Sequence, residues 1–526
     1  MSRFDVIVIG AGHNGLIAAA YLAKAGHRVV VLERRGGSGG AVGDIEIAPG
    51  FKGFAGPHRL ENLDRKIARE LQLAKYGLHI IPFPGRASLL PNGDYLASYA
   101  DPRMTALEVR RFSTRDAESL ASFGLALARQ RELLSHGLIK SADNSHARDS
   151  RERPLDRLLR IARDIGEDAL RETLTFYFES CAAFMGRFFE NDRVKVHMAG
   201  HAFIGASQGP YGPATAHYLL HRPTHFNEHG IQGYVRGGMG KLSLALEKAF
   251  LAHGGEIRFD SDVTDVLMEK GRAIGVKIGD GSEISARYII SNLDMKRTFL
   301  TLFDWKSLPE KQLKAYGNFR QRGSTAKMNI ALDKLPDFPA LPHDCPARAG
   351  ALYFTPDLKE IERAFDSWVE GFVPERPFLE VTIPSISDSS LAPAGKHVMS
   401  VYVQYVPNRL FDGTWDEDRR NNLANLVIDR IADQSPGLRD IIVDWHLNTP
   451  GDLESEFGYT DGDIYHGERA LDQLMFKRSM SGLSVDDIPV KNFYLCGTGI
   501  YQGGGLSGVA GHFAASNVLR DLRRAG

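Results

Sequence analysis

A glycine-rich turn between two apolar segments constrains the fold of this chain more than any other feature of its sequence. The run Phe4–Ile9 (FDVIVI) is uninterrupted and rich in β-branched residues, as expected of a buried parallel strand. The turn GAGHNG follows at residues 10–15, and good helix formers continue over Leu16–Ala25. A second β-branched run, Arg28–Leu32, comes next. This order predicts a βαβ unit of the kind that binds nucleotides.

Each glycine of this turn meets a requirement of a dinucleotide site. Gly10 permits the tight turn, Gly12 lets the backbone approach a pyrophosphate, and Gly15 lets the helix pack closely against the strand. Asn14 belongs to the same turn and is a further candidate contact, next to helix amides that favour phosphate. Glu33 ends the second strand, where a ribose hydroxyl acceptor belongs, and it would repel a 2′-phosphate. The dinucleotide is therefore FAD or NAD, unless the turn belongs to an unrelated α/β protein.

A second glycine-rich loop follows directly and favours FAD. The cations Arg34 and Arg35 precede the run GGSGGA, which ends with Gly39, Gly40 and Ala41. Such a loop is suited to wrapping a diphosphate from the other side, and a nicotinamide dehydrogenase does not usually need it. These five residues are candidate cofactor contacts. The alternative for Arg35 is an ordinary surface cation.

The end of the chain repeats the pattern of strand, glycines and helix. The apolar segment before Gly497 leads into a glycine-rich stretch over residues 503–511, and a helix is predicted over Phe513–Arg523. A helix N-terminus placed there can direct amides at the edge of an isoalloxazine ring, where negative charge develops on reduction. The alternative is a glycine-rich tail without a binding function.

These stretches predict an α/β fold with a discontinuous Rossmann-type FAD-binding domain. A chain of 526 residues exceeds the size of one hydrophobic core, so a second domain is expected. We assign residues 1–100, 230–305 and 455–526 to the FAD-binding domain. Residues 101–229 and 306–454 are assigned to a mixed α+β substrate domain with a helical part.

Several segments resemble the phytoene-desaturase-like flavoproteins. They are VIVIGAGHNGLIAAAYL near the N-terminus, GGMG at 237–240, ISNLD at 290–294, YHGERALDQLMF at 465–476 and LCGTGIYQGGGLSGVAG at 495–511. The resemblance runs nearly end to end and in the family's order. It is greatest to the branch that holds the cyanobacterial-type β-carotene ketolase and the animal pyridine nucleotide-disulphide oxidoreductase domain-containing protein 2.

The resemblance implies a p-hydroxybenzoate-hydroxylase-like FAD fold with a separate substrate domain. It places Gly10, Gly12 and Gly15 at the pyrophosphate, Glu33 at the adenosine ribose, and Arg35 and Gly40 at the phosphates. It also places the Val263 backbone beside the adenine, and it lines the flavin end with Gly497, Gly508, Val509 and Ala510. Ala41 is a departure, because many flavin amine oxidases have a second arginine there. This weakens an amine-oxidase interpretation and agrees with the ketolase-like branch.

The function we predict is oxidation, by hydride transfer to flavin, of a hydrophobic small molecule such as a polyene, another isoprenoid or an aromatic compound. No second dinucleotide motif is evident, because Gly237–Gly240 is short and follows no clear strand. The electrons are therefore expected to pass to oxygen or a quinone. Two alternatives stay open, a FAD-binding scaffold without turnover and a redox-neutral isomerase.

Candidate catalytic residues are fewer and less specific. His58 follows the first glycine-rich region, and Tyr465 and His466 precede a predicted helix. Histidine suits proton transfer near neutral pH, although packing or loop histidines are the more ordinary interpretation. His217, His221, His225 and His229 recur every four residues, but Pro223 interrupts the run and no metal site is predicted.

Composition excludes several classes of function and location. A formal net charge of −1 gives no bulk attraction to nucleic acid. Three separated cysteines form no Cys-x-x-Cys pair, so a reducing cytosol is expected. No segment has the length and hydrophobicity of a membrane span. The predicted helix over Leu155–Ala162 could rest on a membrane surface, and a homo-oligomer is also left open.

Overall fold

The computed structural model of the chain describes residues 4–134, 160, 163–221, 230–474, 488–500 and 504–525. No helix within these ranges is long and apolar enough to cross a bilayer. The segment Leu155–Ala162, for which a surface helix is predicted, lies outside the described residues except for Arg160.

The strands, in chain order, are β1 (Phe4–Ile9), β2 (Val29–Leu32), β3 (Asp44–Ala48), β4 (Phe51–Phe54), β5 (Leu60–Asp64), β6 (Ile80–Pro82), β7 (Gly85–Leu89), β8 (Tyr95–Tyr99), β9 (Gly230–Val235), β10 (Glu256–Arg258), β11 (Val263–Glu269), β12 (Arg272–Ile278), β13 (Glu283–Ser291), β14 (Thr325–Leu332), β15 (Ala351–Tyr353), β16 (Phe378–Thr382), β17 (His397–Gln404), β18 (Ile442–Asn448) and β19 (Phe493–Leu495).

The α-helices are α1 (His13–Lys24), α2 (Arg65–Glu70), α3 (Pro102–Arg110), α4 (Thr114–Leu134), α5 (Glu167–Phe178), α6 (Cys181–Phe188), α7 (Asp192–Ala199), α8 (Tyr218–His221), α9 (Gly240–Leu251), α10 (Met295–Thr301), α11 (Glu310–Gly317), α12 (Leu358–Val369), α13 (Glu417–Ala432), α14 (Pro450–Phe457), α15 (Leu471–Leu474) and α16 (Val509–Ala525).

The first sheet joins three distant stretches of the chain, as predicted. Its order is β10-β2-β1-β13-β12-β11, and β19 pairs with β13. Strand β1 lies parallel to both β2 and β13, with Val6 opposite Val29 on one side and Tyr288 on the other. Strand β19 is parallel to β13. The predicted βαβ unit is therefore confirmed, and the C-terminal strand completes the same sheet.

Helix α1 is covered by α9 and by the C-terminal helix α16. The contact with α16 is close, because a Cβ on Gly511 would lie 2.2 Å from the Asn14 carbonyl oxygen. This explains why α16 begins at Val509, four residues before the predicted start at Phe513. The end of the glycine-rich stretch forms the first turn of the helix, because only a residue without a side chain fits against α1 at Gly511.

The second sheet has the order β18-β14-β17-β16-β15-β7-β8. Strand β14 lies between β17 and β18 and is buried along its whole length. The β7–β8 hairpin joins this sheet through a parallel pairing of β7 with β15. The predicted boundary at residue 100 placed the hairpin in the cofactor domain. It pairs instead with strands far along the chain, which local sequence does not indicate.

The interpretation of Gly237–Gly240 needs one correction. Strand β9 ends at Val235, directly before these glycines, so the turn does follow a strand. However, β9 belongs to a small antiparallel sheet with β5 and β6, and it does not enter the parallel sheet. The turn therefore leads into α9 without forming a second βαβ unit.

Candidate functional site

A cavity of about 390 Å³ opens at the carboxyl ends of β1, β2 and β13. We call it the glycine-rich cleft. Ligands of open α/β sheets bind in such a crevice. Its walls are formed by Ile9, Gly10, Gly12, His13, Leu32, Glu33, Arg34, Arg35, Gly39, Gly40, Ala41, Val42, Ser261, Asp262, Val263, Thr264, Asn292, Leu293, Asp294, Arg297, Thr301, Leu302, Phe457, Gly458, Tyr459, His466 and Thr498.

The turn at residues 10–15 is shaped by backbone requirements that other residues do not meet. Gly10 has φ +93°, a conformation that side chains rarely adopt. A Cβ on Gly12 would lie 2.5 Å from Asn292 Nδ2, and one on Gly15 would lie 2.3 Å from the Gly10 carbonyl oxygen. Gly15 therefore serves helix–strand packing, whereas Gly10 and Gly12 line the cleft.

Glu33 links the first glycine turn to the second glycine-rich loop through hydrogen bonds. Its carboxylate accepts the Ala11 N–H at 2.7 Å through Oε2 and the Arg35 N–H at 3.0 Å through Oε1. Glu33 is buried but lines the cleft. Because a carboxylate has about four acceptor positions, Glu33 can also accept a hydroxyl donated from inside the cleft.

The second loop closes the cleft from the opposite side. Gly39 has φ +109°, and its N–H donates to the Ala11 carbonyl at 2.9 Å. Arg35 Nη1 donates to the Gly40 carbonyl at 3.2 Å, and its guanidinium lies 4.7 Å from the Phe457 ring centroid. Arg35 is therefore held in place at the wall of the cleft.

A second, smaller cavity of about 90 Å³ begins where the cleft ends. We call it the inner chamber. It shares His13, Val42, Tyr459 and Thr498 with the cleft. Its remaining walls are Gly56, Pro57, Arg59, Glu61, Ile204, Thr325, Lys327, Tyr402, Leu453, Ile464, Tyr465, Gly504, Gly505 and Leu506. The second sheet contributes Thr325, Lys327 and Tyr402, and segments that follow strands of the first sheet contribute His13 and Thr498, so the chamber lies between the two sheets.

Lys327 is the charged side chain that β14 presents at this junction. Its ammonium donates to His58 Nδ1 at 2.9 Å and to Ser400 Oγ at 2.6 Å, and it lies 4.1 Å from the Tyr402 ring centroid. Burial and the neighbouring Lys327 charge hold the pKa of His58 well below its usual range. His58 is therefore neutral, and its Nδ1 is the acceptor for Lys327.

Glu380 provides the negative charge of this buried group. Its side chain is fully buried and lies 3.5 Å from His58 Nε2 and 3.2 Å from Arg59 Nη1. Tyr353 donates its hydroxyl to Glu380 at 2.7 Å. Since His58 Nδ1 accepts from Lys327, the neutral imidazole carries its proton on Nε2, facing Glu380. We call Lys327, His58, Arg59 and Glu380 the buried charge cluster.

The predicted site residues separate into two groups. Those that line the cleft or the chamber are Gly10, Gly12, Glu33, Arg34, Arg35, Gly39, Gly40, Ala41, Val263, Tyr465 and His466. Those that lie behind the walls are Asn14, Gly15, His58, Gly497, Gly508, Val509 and Ala510. Gly508 is an example of the second group, because a Cβ there would lie 2.6 Å from Ile17 Cδ1 of helix α1. Gly508 therefore packs against a helix that supports the cleft.

Sequence inspection missed several wall residues. Lys327 could have been found from the sequence, since a charged residue inside a strand that is buried along its whole length needs a buried partner. His13 lies inside the glycine motif at a position with no assigned function. Burial and the nearby His466 lower the pKa of His13 to about 4. Asn292 and Thr498 follow β13 and β19 directly, and only the strand order brings them to the cleft.

The histidine run offers no metal site within the part of the chain that the structure describes. No group of three or more His, Cys, Asp or Glu is arranged there to hold an ion, and His225 and His229 lie outside it. All three cysteines are buried and free.

Comparison with known proteins agrees with this geometry. The family model described as flavin containing amine oxidoreductase matches residues 15–511. Pyridine nucleotide-disulfide oxidoreductase domain-containing protein 2 of Rattus norvegicus is 34% identical over 99% of this chain and 94% of its own. One of the polypeptides of limonene dehydrogenase from Castellaniella defragrans is 24% identical over 99% of this chain and 95% of its own. The predicted family resemblance is confirmed.

Among solved structures, cyclohexylamine oxidase from Brevibacterium oxydans superposes with a TM-score of 0.61 at 15% identity, covering 99% of this chain and 100% of its own. This likeness confirms the predicted fold class. The cleft fits FAD: it offers a buried carboxylate, a turn without side chains at its closest approach, and the amides that open α1. FAD is the cofactor that the family and this donor set require.

Proposed function

The chain belongs to the flavin-containing amine oxidoreductase family, and we propose that it oxidises a largely apolar small molecule by transfer of a hydride to FAD. The observation that carries this proposal is the junction of the two cavities. His13, Val42, Tyr459 and Thr498 line both, so a molecule in the inner chamber meets the end of the cofactor cleft. When bound, FAD would supply the two-electron acceptor for the reaction.

The walls of the chamber favour a substrate with an apolar body over an amine. Aliphatic and aromatic side chains such as Ile204, Ile464 and Tyr402 form much of the surface. The charged residues at the wall are Arg59, Glu61 and Lys327, two cations and one anion. Arg59 and Glu61 lie 3.5 Å apart as an ion pair. The carboxylate at the wall is therefore already paired with a cation, which does not favour binding of an alkylammonium ion.

One relative supports the same substrate class. The limonene dehydrogenase polypeptide is named for a dehydrogenase that acts on limonene, and it aligns with almost the whole of this chain. From that name we carry over to this chain only the substrate class, a compound with an isoprenoid or similarly apolar hydrocarbon skeleton. A polyene desaturation or ketolation falls within this class.

The chain's own residues have separable tasks in this proposal. The cleft binds the cofactor through the turn at 10–15, Glu33 and the second loop. Lys327 holds a fixed N–H donor at the chamber wall, and His58 acts on it as a positioning residue, since His58 itself lies behind the wall. His466, which lines the cleft, is the proposed acceptor of the substrate proton, and Tyr465, which lines the chamber, is proposed to orient the substrate.

The proposed reaction balances with an external oxidant. A dehydrogenation removes a hydride and a proton from neighbouring substrate atoms and leaves a new double bond. The two electrons then pass to dioxygen, forming hydrogen peroxide, or to a quinone, forming a quinol. We favour these acceptors because the first sheet contains a single βαβ dinucleotide turn among the described residues.

Anaerobic mixing of the FAD-loaded protein with neutral polyenes and other apolar donors tests the proposal. We expect the oxidised flavin absorbance to bleach with at least one donor. The variant Ile464→Trp fills part of the chamber and should slow bleaching about tenfold or more while FAD content stays the same. Ile386→Trp is the matched control, because Ile386 is 36% exposed and does not line the chamber.

The outcomes separate the remaining interpretations. Absence of bleaching with every hydrophobic donor would contradict the oxidoreductase proposal and favour a cofactor-binding protein without turnover. A product that forms without consumption of any acceptor would identify a redox-neutral isomerase. Equal bleaching rates in the Ile464→Trp and Ile386→Trp proteins would remove the chamber as the substrate site.

A further inference from the structure

Arg469 is a buried cation without an acidic partner among the described residues. It is 2% exposed and takes part in no ion pair that the described part of the chain contains. Its guanidinium carbon lies 4.0 Å from the ring centroid of Tyr465 and 4.8 Å from that of Tyr218. Two aromatic faces therefore hold the charge, and the ring quadrupoles compensate it only in part.

Most of the hydrogen-bonding capacity of Arg469 is unused. Nη2 donates to the carbonyl oxygens of Ala202 and Ile204, both at the long distance of 3.4 Å. Within the described residues, Nε and Nη1 have no acceptor. These two atoms carry three of the five N–H groups of a guanidinium. Such a buried group normally faces a partner, because leaving it without one is costly.

The acidic residues closest to Arg469 in sequence already have other hydrogen-bonding or ion-pair partners. Glu468 pairs with Arg320 at 3.0 Å and also with Arg322, on the other side of the segment. Asp463 accepts the N–H groups of Tyr465 and Gly467 at 2.9 and 3.0 Å. Neither carboxylate neutralises Arg469, so within the described residues its positive charge is left to a ligand.

Arg469 lies directly behind the wall of the inner chamber. Tyr465 and Ile204 line the chamber, and both contact the guanidinium. His217 fixes the backbone at this position, since its Nε2 lies 2.8 Å from the Arg469 carbonyl oxygen. A single layer of side chains therefore separates the buried cation from the site proposed for the substrate body.

We propose that the inner chamber continues past Tyr465 to Arg469, and that Arg469 binds the carboxylate of an otherwise apolar substrate. This assignment rests on the proposed function of the chamber as the substrate site. A carboxylate would give Nε and Nη1 charge-assisted hydrogen bonds and would neutralise the cation. The substrate is then an amphipathic acid with its apolar skeleton towards the cofactor and its acid group at Arg469.

The test uses two polyenes of the same skeleton, retinoate and retinol, which differ only in the terminal group. Each is titrated into the FAD-loaded protein, and binding is followed by the change in flavin absorbance without any turnover. We expect retinoate to bind about 10- to 100-fold more tightly than retinol, as charge-assisted hydrogen bonds imply. In Arg469→Met this preference should disappear, whereas retinol binding should change little. Arg469→Lys should keep part of the preference.

Two controls separate ligand binding from a structural role. Arg409→Met removes an arginine whose side chain is 88% exposed, and it should keep the full preference for retinoate. The melting temperature of Arg469→Met should equal or exceed that of the wild type, because the variant removes a buried charge that has no acidic partner among the described residues. A large decrease in melting temperature together with an unchanged preference for retinoate would overturn the proposal in favour of a structural role.

Failure of this proposal and failure of the proposed function give different results. Equal binding of retinoate by wild type and Arg469→Met overturns the carboxylate site, even if neutral polyenes reduce the flavin. An Arg469-dependent preference for retinoate supports the site, even if no donor reduces the flavin and the redox proposal is lost.

Discussion

The glycine-rich cleft and the inner chamber share four wall residues, yet they are built in opposite ways. The cleft takes most of its binding groups from the backbone of two short sequence segments, the turn at 10–15 and the loop at 33–41. The chamber takes single side chains from segments far apart in the chain, such as Arg59, Thr325 and Tyr402. A backbone site holds one cofactor firmly, whereas a side-chain site can change its substrate without disturbing the cofactor.

The difference extends to charge. In the cleft, Glu33 sits between two backbone N–H donors, and its oxygens remain close to the cavity. In the chamber, the buried charge cluster is held inside the protein, with Glu380 fully buried. We therefore expect substitutions in the cleft to act mainly on FAD binding, and substitutions in the cluster to act mainly on folding.

The largest effect on FAD binding is expected at Gly15. A Gly15→Ala substitution puts a Cβ 2.3 Å from the Gly10 carbonyl oxygen, so helix α1 must move away from the glycine turn. We expect the purified protein to lose nearly all FAD and to be destabilised by about 1–3 kcal/mol or more. The FAD-to-protein absorbance ratio and the melting temperature measure both effects.

Gly124→Ala is the matched control for that substitution. Gly124 lies inside helix α4, and nothing lies within 4 Å of the Cβ it would acquire. It should keep its FAD and gain about 0.5–1 kcal/mol of stability, since alanine favours a helix over glycine. A Gly15→Ala protein with normal FAD content would show that the turn is less constrained than its geometry implies.

The contrast also explains what the sequence could predict. The glycines of the turn and Glu33 are close together in sequence and follow a known spacing, so their contribution to the cleft was predictable. Lys327 and His58 are 269 positions apart and meet only because β14 packs against β3 and β4, the strands that precede His58. The domain boundary predicted at residue 100 likewise did not anticipate the pairing of β7 with β15. Pairing between distant segments determines both the Lys327–His58 contact and the position of the β7–β8 hairpin, and local sequence patterns carry no information about such pairing.

Substitution in the buried charge cluster is expected to lower the stability of the folded protein. Glu380→Gln removes the carboxylate that faces His58, Arg59 and Tyr353 and leaves the cations without compensation. We expect a loss of about 3–5 kcal/mol in the free energy of unfolding, measured by urea denaturation. Glu256→Gln, whose side chain is 47% exposed, should change stability by less than about 0.5 kcal/mol. Equal effects of the two substitutions would refute the role of Glu380 as the central anion.

A smaller effect on folding, but a clear one on the cofactor, is expected at Glu33. Glu33→Gln keeps the size of the side chain but loses the charge that accepts the Ala11 and Arg35 N–H groups. FAD should bind about 10- to 100-fold more weakly, in line with hydrogen bonds to a charged group. Titration of the FAD-free protein by flavin fluorescence gives the dissociation constant, with Glu256→Gln again as the control. An unchanged constant would mean that the backbone alone determines cofactor affinity.

The smallest effect lies at the junction of the two cavities and depends on pH. Burial and the neighbouring His466 lower the pKa of His13 to about 4, while the unfolded chain has an ordinary histidine pKa of about 6.5. Between these values the unfolded state binds a proton that the folded state excludes. Stability therefore falls as the pH decreases from about 6.5 to 4, and it is insensitive to this group above that range.

His13→Asn isolates this contribution, because asparagine does not titrate. The difference in unfolding free energy between the wild type and this variant should be constant above about pH 6.5. At about pH 5 the wild type should have lost on the order of 1–2 kcal/mol of unfolding free energy relative to the variant. Parallel pH profiles for the two proteins would show that His13 is as accessible to protons as in the unfolded chain. The junction would then be open to water, and it could not shield a hydride transfer between chamber and cleft from solvent.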